Sequence, residues 1–183
     1  NCGIDKSHIL GIGVCIVGRV NTHQGRSYKY FTNIETSLRE IIEKRIGIRV
    51  LVENDTRSRC YAEYTCGRSK DESNVLYLHL GLGVAIGIVV NGKPINGVHG
   101  AAGEIGHITV ERNETEMCTC GKRGCAEQYC SATGVVRMAK RYLASHDTPS
   151  VLREGKFECK DVFAAAANGD EAANEILEQV YEI

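Results

Sequence analysis

The residues with the clearest chemistry are His107, Cys118, Cys120 and Cys125. Three thiolates and one imidazole complete a tetrahedral zinc shell, and four protein ligands leave no open position for a catalytic water. The expected role is therefore structural. Gly121 and Gly124 lie between and beside the cysteines, where their freedom at positive φ lets a short loop wrap a metal. Lys122 and Arg123 would offset part of the thiolate charge. The competing reading is a cluster of free or disulfide-bonded cysteines. Nothing in the chain has secretory character, which makes a disulfide framework unattractive and points to a reduced, cytoplasmic setting. The other cysteines of the nine (Cys2, Cys15, Cys60, Cys66, Cys130 and Cys159) are scattered and are expected to be small buried packing residues.

The composition narrows the field. With 183 residues, 43% of them hydrophobic and 25% charged, the chain has a globular balance and enough length for a core. A net charge of -1 gives no basic field for nucleic acid. No apolar run approaches the ~18 residues of a membrane span. The start at Asn1 without a methionine, and helical sequence continuing to Ile183, are expected of a segment of a longer protein.

Several elements must position these residues. His8–Gly18 reads as a buried strand, and Ile48–Glu53 as a short one. Leu38, Ile41, Ile42 and Ile46 mark a helix over 37–46 that Gly47 stops, and Thr56–Cys66 is a second helix. Strands are expected at Val75–Leu80 and Val84–Val90, and Asn91-Gly92 is a type I′ turn signal. His107–Val110 reads as a short strand and Met117–Cys125 as a tight loop. Helices follow over 132–145, 160–167 and 170–181, with Asn168-Gly169 separating the last two. Strands alternating with helices predict an α/β or α+β class.

Gly103-Glu104-Ile105-Gly106-His107, followed by Cys118-Thr119-Cys120-Gly121-Lys122-Arg123-Gly124-Cys125-Ala126-Glu127, resembles the signature of the ROK family of repressors, unassigned reading frames and sugar kinases. Val52-Glu53-Asn54-Asp55 resembles the family's sugar-binding segment, and Leu80–Val90 its phosphate-loop hairpin. Ser131-Ala132-Thr133-Gly134 and Asp161-Val162-Phe163 also have counterparts. The resemblance implies an actin-like fold of two lobes with a sugar in the cleft. Residues 1–70 would end the N-terminal lobe and residues 71–183 begin the C-terminal lobe. It also implies that Asn54, Asp55, Glu104, His107 and Glu127 bind sugar, with Asp55 as general base in the kinases. His107 would share its two ring nitrogens between zinc and sugar.

The residue types agree with this, because carboxylates and amides accept from and donate to vicinal hydroxyls. Taken singly, each reads first as a solvated surface group or a helix cap, and Asp55 equally as an N-cap of the helix after it; only the joint pattern raises them.

The family divides between two functions. Kinases carry an N-terminal Asp-x-Gly-x-Thr segment, absent from this chain, and a Gly-Thr-Gly-x-Gly-Gly-Gly hairpin. Here the hairpin is Gly81-Leu82-Gly83-Val84-Ala85-Ile86-Gly87. Leu82 stands where a hydroxyl would donate to phosphate, and Ala85 and Ile86 add bulk where backbone N–H groups must approach it. The first half of the chain resembles ROK transcriptional regulators of the Bacteroides type, and the run from Gly124 to Lys140 resembles bacterial glucokinases. The expected function is the sugar- or sugar-phosphate-sensing domain of a regulator, a homodimer or higher oligomer that meets DNA only through a helix-turn-helix outside this chain. The alternative is a glucokinase-like sugar kinase that uses ATP and Mg2+.

Overall fold

The structure, a computed structural model, describes residues 3–33 and 35–183. These form two compact units, residues 1–77 with 86–103 and residues 78–85 with 104–183.

The first unit is organised around a parallel pair of strands, β1 (Ile12–Ile16) and β4 (Val50–Asn54), in register from Ile12 opposite Val50 to Ile16 opposite Asn54. The chain between them makes a small antiparallel hairpin, β2 (Val20–Asn21) with β3 (Arg26–Ser27), and helix α1 (Leu38–Ile46). Ser37 caps α1 by accepting from the Glu40 N–H, and Gly47, at φ 69°, ends it in the left-handed conformation that glycine adopts without a Cβ penalty. Val20, Val50 and Val52 are fully buried, with Ile12, Val14, Ile16, Leu38 and Ile42 packed around them. Helix α2 (Asp55–Cys66) starts at the carboxyl end of β4.

Strands β5 (Val75–Leu80), β6 (Val84–Val90) and β7 (Lys93–Pro94) make a three-stranded sheet in that order. Asn91 and Gly92, at φ 49° and 73°, form the predicted turn between β6 and β7. Gly87 inside β6 is a packing requirement: a Cβ there would lie 2.2 Å from the Cys60 Cβ on α2.

The second unit is helical at its core. Short helix α3 (Glu127–Cys130) runs into α4 (Ala132–Ser145), followed by α5 (Cys159–Ala167) and α6 (Glu171–Tyr181). Val135, Ala139, Tyr142, Val162, Ala173, Ile176 and Leu177 are among the side chains that close this core. Ser131 caps α4, Asp170 caps α6, and Glu158 with Asp161 forms a capping box on α5.

Three expectations need correction. His8–Gly18 is not a buried strand along its length: β1 covers only Ile12–Ile16 and alternates half-buried with exposed residues, because it lies in a two-stranded sheet covered on one face, and Leu10 before it is 95% exposed. Residues 107–110 are not a strand: Ile105–His107 is a 3-10 turn, and Thr109 alone makes a bridge, to Cys125. Two glycines in the Gly103–Gly106 run explain the turn, since a Cβ at Gly103 would sit 1.9 Å from the Ile86 carbonyl oxygen, and one at Gly106 2.3 Å from that of Val84. The backbone is pressed too closely against β6 to run as an extended strand of its own. The scattered cysteines are also not uniformly core residues. Cys60 is buried, Cys130 and Cys159 are half-buried, and Cys15 and Cys66 are exposed; Cys2 lies outside the described residues. Cys15 lies on the open face of a two-stranded sheet, and Cys66 is the last residue of α2, so neither has an element above it.

The segment leading into the cysteine loop is anchored to α3 and α4 by charge. Glu114, with only 2% of its side chain exposed, receives both guanidinium nitrogens of Arg141, at 2.8 and 2.9 Å. It also accepts from the Tyr129 hydroxyl at 2.7 Å and from the Glu116 N–H at 2.9 Å. Glu116 in turn pairs with Arg137 at 3.0 Å and Arg141 at 2.8 Å. Bidentate Arg–carboxylate contacts are the strong kind, because both hydrogen bonds are charge-assisted and share one plane. Arg141 holds the Glu114 carboxyl far below its ordinary value of 4.5, against the opposing effect of burial. Burial, followed by the hydrogen bond to Glu114 and then by its charge, pushes the Tyr129 phenol up to about 12.

A carboxyl depressed on folding contributes stability above its unfolded pKa and loses it as pH falls below that value. Unfolding midpoints should therefore drop as pH is lowered beneath 4.5. Glu114→Gln should lower the midpoint at pH 7, at a cost of about 1–3 kcal/mol, and flatten the acid dependence. Thermal melts across a pH series check both.

Candidate functional site

The cysteine loop folds back on itself through an isolated bridge between Met117 and Arg123 and a hydrogen bond from the Cys118 N–H to the Lys122 carbonyl, 2.7 Å. Gly124 is indispensable to this closure. It sits at φ 67°, and a Cβ there would lie 1.6 Å from the Glu111 carbonyl oxygen. Gly121 takes φ 86° at the tip.

The result is that His107, Cys118, Cys120 and Cys125 offer ligand atoms all within 4.8 Å of one another. His107 Nδ1 lies 3.6 Å from Cys118 Sγ, and Cys120 Sγ lies 3.6 Å from Cys125 Sγ. A tetrahedral zinc with Zn–S of about 2.3 Å places two sulfurs about 3.8 Å apart. The donor set and its spacing fit such an ion, and the cluster can hold a metal.

Electrostatics agree. Burial, reinforced by the neighbouring thiols Cys120 and Cys118, pushes the Cys125 thiol up to about 12. Cys120 is also pushed up by burial, but the Lys122 N–H, the Cys125 and Cys118 thiols and the Lys122 charge bring it below its ordinary value. Thiols this close oppose one another's ionisation, and a divalent cation removes the conflict. The Lys122 ammonium also donates to the His107 carbonyl, 2.6 Å, pinning the loop to the turn that carries the imidazole.

The remaining predicted residues fall on both units. In the second unit His107 directs Nδ1 at Cys118, while Nε2 faces the Glu104 carboxylate at 4.0 Å, longer than a hydrogen bond. Glu127 opens α3 two residues after Cys125, and its carboxylate accepts from the Val84 N–H at 3.1 Å. Gly83 sits directly beneath it, since a Cβ there would be 2.9 Å from Glu127 Oε2. The hairpin tip closes on itself through the Gly81 N–H and the Gly83 carbonyl, 3.0 Å, and receives the Ala132 N–H on the Gly81 carbonyl, 2.8 Å. Leu82 projects from the tip, 80% exposed.

In the first unit the structure resolves the alternative at Asp55. The N-cap of α2 is Asn54, whose side-chain oxygen accepts from the Arg57 N–H at 2.9 Å. Asp55 is therefore the first helical residue, with its carboxylate not used as a cap. The Asn54 amide donates to the Gly18 carbonyl at 3.0 Å and to Asp55 Oδ1 at 3.2 Å. Both donors are thus employed in orienting Asp55 and the end of β4.

Sequence reasoning did not find the Glu114–Arg141 network or the pair of half-buried Glu53 with buried Arg57. The i, i+4 spacing of Arg137 and Arg141 on α4 marks a basic helix face, but nothing in the sequence pairs that face with a glutamate 27 residues away.

The model of the ROK family matches residues 5–183, and the chain belongs to that family. A glucokinase from Halalkalibacterium halodurans is 35% identical over 182 residues, 96% of this chain and 55% of that protein. A xylose repressor from Bacillus spizizenii is 31% identical over 130 residues, 70% of this chain and 34% of the repressor. The crystal structure of a ROK family transcriptional regulator, a homologue of the E. coli MLC protein, matches with a TM-score of 0.78 and 32% identity, covering 93% of this chain and 43% of that one. Solved ROK sugar kinases superpose as well, and the fold is the actin-like α/β fold of that group. The chain spans about half the length of the glucokinase and a third of the repressor. No helix among the described residues is long and apolar enough to cross a membrane.

Proposed function

We propose that this chain is the sugar-sensing effector part of a ROK-family transcriptional regulator, with a structural zinc on His107, Cys118, Cys120 and Cys125. Asn54, Asp55, Glu104, His107 and Glu127 are its sugar-contacting residues, and the ligand is a sugar or sugar phosphate.

The observation that carries this reading is the state of the glycine hairpin. Phosphoryl transfer depends on donors positioned on the phosphates. Here the Val84 N–H is taken by Glu127 and the Gly81 N–H by Gly83, and Leu82 supplies no hydroxyl. Losing one such oxyanion donor costs on the order of 10²-fold in rate. The regulator and xylose-repressor relatives support the same direction.

In this role, sugar binding shifts a pre-existing conformational balance by its difference in affinity for the two states. DNA is met through a helix-turn-helix in another part of the protein. The zinc, when bound, neutralises the thiolates and fixes the imidazole. His107 then presents its other nitrogen toward Glu104, as outer partners do around metal-bound histidines.

A second reading is a sugar kinase using ATP and Mg2+, supported by the 35% identity to a glucokinase over nearly the whole chain. Asp55, free of capping duty and oriented by Asn54, would then be the base that takes the proton of the attacking hydroxyl.

Elemental analysis should find one zinc per chain. Cys120→Ser should lose the metal and lower the melting temperature, whereas unchanged stability would contradict a structural site. Calorimetry of the full-length protein against a panel of hexoses and pentoses should show one saturable site without nucleotide. Asp55→Asn should leave that binding measurable. Silence across the whole panel with zinc-loaded protein would remove the sugar-sensing reading.

A further inference from the structure

Arg57 is an unusual residue to find inside a small unit. Its side chain is only 4% exposed, and it is a permanent cation on the first turn of α2. Burying a guanidinium is costly unless its charge and donors are matched; here the two terminal nitrogens are matched, while Nε is buried without a hydrogen-bond partner. Arg57 Nη2 lies 2.9 Å from Glu53 Oε1 and donates to the Val20 carbonyl at 3.2 Å; Nη1 donates to the Asn96 carbonyl at 3.2 Å. Glu53 is itself occupied on both oxygens. Oε2 accepts from the Thr22 hydroxyl at 2.7 Å, and Oε1 accepts from the Asn54 N–H at 2.7 Å.

One ion pair thus joins four separate pieces of chain: β2 at Val20, the turn after it at Thr22, the end of β4 at Asn54, and the loop that begins at Asn96. Two of these matter for the site. Asn54 orients Asp55. The loop from Asn96 to Gly103 leads directly into Glu104, and it is held at both ends. At its start, the Asn96 carbonyl accepts from Arg57 and from the Ala102 N–H. At its finish, the Gly103 carbonyl accepts from the Ile86 N–H at 2.9 Å. In between, Gly100 lies so close to Val20 that a Cβ would stand 2.3 Å from the Val20 carbonyl, the same carbonyl that Arg57 holds.

We infer that Arg57, through Glu53, is a positioning residue for the sugar-binding segment, fixing the end of β4 that bears Asn54 and Asp55 and the 96–103 loop of the same unit. The inference rests on the sugar-binding reading above. It assigns Arg57 no contact with the ligand. A planar fork is needed because two carbonyls and a carboxylate must be met at once, and lysine offers a single ammonium for all three.

The test compares full-length wild type with Arg57→Lys and Thr22→Val. Lysine keeps the charge opposite Glu53, and Thr22→Val removes one contact to the same carboxylate from outside the helix. Sugar affinity is measured by calorimetry with the sugar that wild type binds. Amide hydrogen exchange is read at residues 96–103, thermal stability by melting, and zinc content by elemental analysis. Arg57→Lys should bind sugar about tenfold more weakly, the scale on which outer partners act at metal sites. It should exchange faster at 96–103, with zinc content and the protection of α4–α6 unchanged and most of the melting temperature retained. Thr22→Val should move affinity and exchange in the same direction by a smaller factor. Wild-type affinity in Arg57→Lys, or unaltered exchange at 96–103, would overturn the inference. So would a loss of affinity that is restored in step with melting temperature, since that is what a merely structural role predicts. Wild type that binds no sugar would instead overturn the reading on which the inference stands, and the exchange data would still report whether the clamp exists.

Discussion

The second unit depends on the closure of one loop. Four ligand atoms from residues 107 to 125 are brought within 4.8 Å, and this requires backbone conformations that only glycine takes without strain at Gly121 and Gly124. Once the loop is closed, the positions of its neighbours follow. His107 is fixed at the end of a 3-10 turn with its far nitrogen toward Glu104. Cys125 is the second residue before Glu127, so the loop also sets where that carboxylate meets the glycine hairpin. The Glu114–Arg141 contact ties the strand of chain before the loop to α4. The four potential ligands, Glu104, Glu127 and the hairpin therefore form one connected arrangement within this unit.

The hairpin is the feature on which the proposed sensing role rests. A phosphate loop works by keeping N–H groups free and close, without side chains in the way. In this chain the Val84 N–H is matched by a carboxylate, and a leucine projects from the tip. A carboxylate placed on a loop amide also repels an incoming phosphate. Two of the hairpin N–H groups, those of Gly81 and Val84, are committed to internal hydrogen bonds. In the first unit, the Glu53–Arg57 pair connects Asn54 and the 96–103 loop.

Much of this was legible from residue types because the signals were local. A capping serine and a terminal glycine define α1, Asn91-Gly92 defines a turn that needs two positive φ values, and ligand type with spacing defines the cysteine cluster. The failures came where a tertiary contact outweighed the local pattern. Ile108, Thr109 and Val110 have strand-forming side chains, yet the preceding glycines are pressed onto β6 and hold the chain in a turn at His107. Asp55 is as good a capping residue as Asn54, and the choice falls to Asn54 because it stands at the end of β4, in extended conformation, within reach of the Gly18 carbonyl. The buried charge of Glu114 carries no local mark, because Arg141 is 27 residues distant; Arg57 has Glu53 one helical turn away, but the Val20 and Asn96 carbonyls it also holds are 37 and 39 residues distant and are met only in the folded chain.

The central claim is that this ROK protein reads a sugar without phosphorylating it. A coupled assay of ATP consumption by the full-length, zinc-loaded protein, run with the sugar it binds and saturating Mg2+, tests that claim most directly. The account predicts no sugar-dependent turnover above background. Turnover at ordinary kinase rates, about 1–100 per second, abolished by Asp55→Asn, would contradict it and make the protein a sugar kinase.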